Sequence, residues 1–175
     1  MGITIGTLSQ WRGRKVTKAE VKALTRDEAA LIYRRNYWDK VRGDDLPAGL
    51  DLVAFDGAVN SGVSRGAKWL QAALEVQPDG KIGPITVSAA NLADADDVIH
   101  RALDARLTFL RGLRTWATFG RGWQRRVDEV RATALRMAKP APKPPAPPPV
   151  VTPEAAPGLL AAFFNALRGI FGGRA

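Results

Sequence analysis

Breaking a glycosidic bond requires a carboxylic acid held protonated beside the leaving oxygen. The chain has five glutamates that are candidates for such a role: Glu20, Glu28, Glu75, Glu129 and Glu154. Their surroundings speak against it. Glu20 and Glu28 each follow a threonine by three residues, in Thr17-Lys18-Ala19-Glu20 and Thr25-Arg26-Asp27-Glu28. That spacing is the capping box, in which hydroxyl and carboxylate satisfy each other's backbone amides. Glu129 shares a helical stretch with Arg125, Arg126 and Arg131, neighbours that suit a carboxylate rather than a proton donor. Glu75 closes a helix before a turn, and Glu154 stands among prolines. His100, the one histidine, rules out a multi-histidine metal cluster and weighs against a histidine-based triad; it reads as structural. With no cysteine there is neither a disulfide nor a thiolate zinc site. No metal and no cofactor is expected.

Two other groups of residues remain. Asp56 and Asn60 lie four apart and so share one helix face. They read either as a buried hydrogen-bonding pair that fixes a helix crossing or as substrate contacts. Tyr33, Tyr37, Trp38 and Trp69 recur at helical spacings, as core residues or as an aromatic wall for a sugar.

The elements that must position these residues are helical. The two capping boxes start a short helix and then a longer one through Tyr33, Tyr37 and Trp38. Pro47 opens a helix over 48–60 that Gly62 ends, and Ser64 starts another over 65–74. Pro78-Asp79-Gly80 is a turn, and Pro84 sits at the first position of a short helix. Asp94 and Asp96 head a long helix to residue 113, and Thr118 or Gly122 starts the last, to about Met137. Residues 3–8 (ITIGTL) read as the remnant of a hairpin. The expected fold is mainly α.

The chain has 175 residues, enough for one globular domain with appendages. Nine of its twelve prolines fall between Pro140 and Pro157, so 139–157 is a semi-rigid linker. Beyond it, residues 158–171 place Leu159, Leu160, Phe163, Phe164, Leu167, Ile170 and Phe171 on one helical stripe. Fourteen residues make a helix of roughly 21 Å, too short for a bilayer core of about 30 Å. This amphipathic tail over 158–175 is suited to a membrane interface, or to docking on its own domain or a partner.

The net charge of +9 and pI of about 10.5 favour an anionic partner. Residues 1–43 carry net +6, 44–100 net −6 and 101–136 net +6. These are either solvated helix faces or two basic lobes flanking an acidic middle. The lysines and arginines are dispersed, without a recognition-helix motif, so no specific nucleic acid is expected. The N-terminus lacks the charged-then-apolar order of a signal peptide. Gly6 stands where N-myristoylation needs Ser or Thr.

Several segments in order resemble glycoside hydrolase family 108: GITIGTLSQWRG, YRRNYWDKVRGDDLP, FDGAVNSG, WLQAALEVQPDGKIGPITVSA and FGRGWQRRVDEVR. The resemblance covers about residues 2–138. It implies a lysozyme-like helical bundle, with a muramidase domain over 1–52 and a peptidoglycan-binding-type domain over 53–138. It further implies hydrolysis of the bond between N-acetylmuramic acid and N-acetylglucosamine by one glutamic acid and a water. Thr4, Tyr37, Trp38, Asp56 and Asn60 carry over as cleft residues.

One departure is large. The family's catalytic glutamate lies in an E-G-G-Y segment shortly before the G-I-T that begins here. No catalytic residue therefore carries over, and the muramidase domain reads as truncated. Either Met1 is an internal methionine of a longer protein or the acid is lost, leaving a non-catalytic wall-binding or membrane-tethered module. In both cases little muramidase activity is expected of these 175 residues. The expected partner is peptidoglycan, with the inner-membrane surface or a holin or secretion partner reached through 158–171. The expected location follows: made in the bacterial cytoplasm without a signal peptide, acting at the wall.

Overall fold

The computed structural model describes residues 2–139. Among them are eight α-helices and no strand: α1 (Ile5–Arg12), α2 (Lys18–Lys22), α3 (Arg26–Tyr33), α4 (Leu50–Ser61), α5 (Val63–Ala73), α6 (Pro84–Leu92), α7 (Ala95–Arg111) and α8 (Trp116–Ala138). From α3 the chain continues through a π-helical turn, Arg34–Trp38, and two 3-10 turns, Asp39–Val41 and Gly43–Asp45. The fold is mainly α, as expected. The proline-rich segment from residue 140 and the amphipathic tail over 158–175 lie outside the described residues. None of the described helices is long and apolar enough to cross a membrane.

Residues 3–8 are not a hairpin. The Thr4 hydroxyl accepts a hydrogen bond from the Thr7 amide at 3.1 Å and starts α1. Gly13 ends it at φ +67°, a left-handed cap that glycine adopts without penalty. The apolar contacts follow helical spacing: Leu8 is fully buried and Trp11 packs beside it. Alternation over six residues suggests a strand, but Leu8 and Trp11, three apart, take one face of a helix.

The helix ends differ from expectation by a few residues. Gly49, at φ +89°, turns the chain before α4, which starts at Leu50 rather than just after Pro47. The last helix begins at Trp116, ahead of Thr118 and Gly122.

Two cores form. Leu8, Val16, Leu24, Ala29 and Ile32 build a small one under α1–α3. A large one gathers α4, α5, α7 and α8, with Leu50, Leu70, Ile99, Leu103 and Val127 essentially inaccessible. At the α4–α5 crossing the backbones touch: a Cβ on Gly66 would lie 2.6 Å from the Ala58 nitrogen. α4 also packs against α7 and α8, so it is the hub of the larger core.

The capping boxes explain two glutamates, with one amendment. At Thr17 the box is complete: its hydroxyl accepts from the Glu20 amide, and Glu20 accepts from the Thr17 amide at 2.8 Å. At Thr25 only the hydroxyl arm is made, because Glu28 turns instead to Arg12. There it accepts from Nε at 2.9 Å and Nη2 at 2.7 Å. Arg12 also reaches Glu20, which Arg14 holds at 2.6 Å. These donors, Arg14 foremost, take the Glu20 carboxyl from its ordinary 4.5 to about 2. Arg12 likewise holds Glu28 below the usual carboxylate range.

Glu20 is thus more acidic folded than unfolded. The stability it contributes is complete above about pH 4.5 and is lost as the pH falls toward 2. Urea unfolding across this window is expected to show a steeper loss of stability for the wild type than for Glu20→Gln. Equal slopes would remove the Arg14–Glu20 pair from the account.

Candidate functional site

A carboxylate buried among apolar helices must be met by charge, since leaving it unpaired costs several kcal/mol. Asp56, midway along α4, is 3% exposed. Arg106 of α7 donates from Nη1 to Oδ2 at 2.5 Å. Arg126 of α8 donates from Nε to Oδ1 at 2.9 Å and from Nη2 to the same oxygen. Each carboxylate oxygen therefore serves a different arginine. Arg106 is itself buried, and the centre of its guanidinium lies 5.9 Å from the Trp69 ring. Arg126 is half exposed, and its bonds to Asp56 raise its pKa further.

Asp56 and Arg126 form the floor of an open cleft of about 530 Å³ whose walls include Tyr33, Arg34, Trp38 and Phe55. The π-helical turn delivers Trp38 to this wall. Its indole N–H donates to Asp44 Oδ1 at 2.9 Å, and the other Asp44 oxygen pairs with Arg34. The indole, more than the arginine, holds the Asp44 carboxyl below its ordinary range. The Trp38 ring meets Phe55 edge-on at 5.6 Å between centroids. Gly43 lies directly against the indole, where a Cβ would come within 2.3 Å of Cε2. The result is a fixed aromatic wall beside a charged floor, suited to a ligand with apolar faces and polar edges.

The structure brings Trp38 and Asp56 into this one cleft. Asn60 stands one turn beyond Asp56 and donates to its backbone carbonyl at 2.9 Å, not to its carboxylate. Its side chain lines a second cleft, together with Arg65, Arg106, Trp123 and Arg126. Tyr37 packs on the large core with its ring 5.7 Å from Tyr33. Thr4 is the cap of α1. Neither Thr4 nor Tyr37 is among the residues lining these two clefts.

Of the glutamates in the described residues, none lines the Trp38 cleft. Glu20 and Glu28 are held by arginines; Glu75 accepts from Arg101 Nη1 at 2.6 Å; Glu129 lies on the exposed side of α8. His100 Nδ1 sits 2.9 Å from Arg131.

Sequence reasoning missed Arg106 as a site residue. The signal was present: Leu103, Arg106 and Leu110 are spaced three and four apart on the apolar stripe of α7. A cation on such a stripe requires a buried anion.

The Asp79–Pro84 turn has a structural explanation. Gln71 of α5, 2% exposed, donates from Nε2 to Asp79 at 2.8 Å and to the Lys81 carbonyl at 3.0 Å, and accepts from the Gly80 amide at 2.8 Å. The Gln71 bond, ahead of the Lys81 amide, lowers the Asp79 carboxyl from its ordinary range.

Comparison with known proteins adds three findings. The family model described as Glycosyl hydrolase 108 matches residues 1–62. The one described as Predicted Peptidoglycan domain matches residues 65–128. Among solved structures, SagA of Brucella abortus is 52% identical, with a TM-score of 0.73, over 80% of this chain and 80% of that one. No curated protein sequence matches. Asp56 lies in the first matched segment, and Arg106 and Arg126 lie in the second.

Asp56→Ala would leave a buried guanidinium without its partner. The expected loss of stability in urea unfolding is about 3–5 kcal/mol. Asp104→Ala, which removes an exposed partner of Arg131, should lose less than about 1 kcal/mol. Similar losses for the two variants would contradict the pairing.

Proposed function

The chain belongs to the glycosyl hydrolase 108 family, and from that premise we propose that its Trp38 cleft holds a glycan strand of peptidoglycan at the bond between N-acetylmuramic acid and N-acetylglucosamine. That it is a peptidoglycan-active, lysozyme-like protein follows from the two matched segments and the likeness to SagA. The observation that carries the finer reading is the cleft itself. Trp38 and Phe55 offer apolar faces for sugar rings, while Arg34 and Arg126 offer polar edges.

In this reading the described residues bind and orient the strand. Hydrolysis in the family manner uses one glutamic acid as proton donor to the leaving oxygen, with water as the nucleophile. Asp56 does not supply that proton. Both of its oxygens already accept hydrogen bonds, Oδ2 from Arg106 and Oδ1 from Arg126. Glu20 and Glu28 are held ionised outside the cleft.

A second reading is wall binding without hydrolysis. It is favoured by one specific observation: the sole carboxylate in the lining of the Trp38 cleft is already committed to two arginines.

The test is co-sedimentation of the 175-residue chain with purified peptidoglycan, alongside release of reducing sugar. Binding is expected, and Trp38→Ala should weaken it roughly tenfold, equal to about 1.4 kcal/mol. With no glutamate lining the cleft among the described residues, hydrolysis should run roughly 10²–10⁴-fold below that of a lysozyme whose cleft holds one. Absence of binding would overturn the proposal. Rapid release of reducing ends would show that a glutamate described as structural is in fact the acid.

A further inference from the structure

On the other side of Arg126 from the Trp38 cleft lies a second, more enclosed cleft of about 350 Å³. It is built where the end of α4 meets α5, α7 and α8. Arg65, Arg106 and Arg126 converge on it, and no carboxylate is among its lining residues. Asp56, behind it, accounts for one unit of negative charge against three guanidinium groups. Arg65 has no ion-pair partner among the described residues; the centre of its guanidinium lies over the Phe109 ring, 4.4 Å from its centroid. The Arg106 Nε is buried and has no hydrogen-bond partner among the described residues. Trp123 forms an apolar wall, its ring centroid 6.2 Å from Trp116 and 5.7 Å from Phe119.

This combination has a definite chemistry. Guanidinium groups recognise carboxylates through paired, directional hydrogen bonds. Surplus positive charge in a partly enclosed site draws an anion. The aromatic wall favours a ligand with small apolar groups beside its charge.

We infer that this cleft binds the free carboxylate end of a short peptide, which in peptidoglycan is the peptide stem. The inference rests on the peptidoglycan reading for the identity of the peptide, not for the chemistry of the cleft. In the wall polymer the lactyl carboxyl of N-acetylmuramic acid is consumed as an amide, so the free carboxylates belong to the stems. The protein then contacts its polymer twice. The Trp38 cleft takes the sugars, and the Arg65 cleft takes a stem. Arg126 borders both.

Gly122 provides a clean test. It lines the cleft, and a Cβ built on it meets nothing within 4 Å. Gly122→Leu therefore puts bulk into open space while replacing a glycine inside a helix, which does not weaken the helix. Arg65→Ala removes an exposed side chain that makes no ion pair among the described residues.

The experiment titrates diacetyl-Lys-D-Ala-D-Ala into the full chain, following the Trp123 indole N–H by NMR. Its C-terminal amide and inorganic phosphate are titrated separately. The free acid should shift the Trp123 resonance and bind at least tenfold more tightly than the amide. Arg65→Ala and Gly122→Leu, each with unfolding as cooperative as the wild type, should each weaken binding tenfold or more. Equal binding of acid and amide, or full binding by both variants, would overturn the inference. So would phosphate binding more tightly than the peptide acid, which would mark a phosphate site. Co-sedimentation with peptidoglycan is measured on the same samples. Wall binding without peptide binding removes this inference and leaves the function standing. Peptide binding through Arg65 without wall binding keeps the carboxylate site and removes the peptidoglycan reading.

Discussion

Asp56 is a charge placed in the middle of a helix whose neighbours are almost all apolar. Without partners it would oppose the packing of α4 against α7 and α8. With Arg106 and Arg126 on its two oxygens it becomes the tie between them. The tie also spans the boundary between the two family segments, since α4 belongs to the first and both arginines to the second. The larger core is continuous across that boundary: Leu50 and Val53 pack in the same cluster as Leu70, Leu103 and Val127. A separable hydrolase domain and binding domain would leave α4 without most of its burial.

The same tie shapes both clefts. Arg126 is held by Asp56 and stands at the edge of each, so its position is set by the core rather than by solvent. Arg106 spends one nitrogen on Asp56 and, among the described residues, retains an unpartnered Nε. Around this charged centre the aromatic groups are fixed by independent means. Trp38 is held by Asp44, Phe55 and the bare surface of Gly43, and Trp123 by Trp116 and Phe119. A site assembled in this way needs little rearrangement to bind, which lowers the ordering cost of association.

Much of the fold was legible in the sequence because its signals are local. Threonine caps, Pro84 and the apolar stripes of α7 and α8 mark helices through contacts a few residues apart. The exceptions show where locality ends. The alternating stretch at 3–8 is helical because Leu8 and Trp11 find a shared core with Ile32, which the six residues alone do not reveal. Glu28 breaks its capping box because Arg12, sixteen residues earlier, offers a better partner. Trp38 and Asp56 could be singled out as residues, but not as neighbours, since the π-helical turn decides where Trp38 points. Arg106 and Arg126 meet Asp56 from fifty and seventy residues away, and only the presence of a cation on an apolar stripe hinted at the first.

The central claim is that Asp56 and Arg106 are stabilising only together. A double-mutant cycle in urea, with Asp56→Ala, Arg106→Ala and the double variant, measures this directly. The account predicts strong coupling, near the upper end of the roughly 0.5–3 kcal/mol seen for groups in contact, with the double variant more stable than the two single losses imply. Losses that add within about 0.3–0.5 kcal/mol would contradict it.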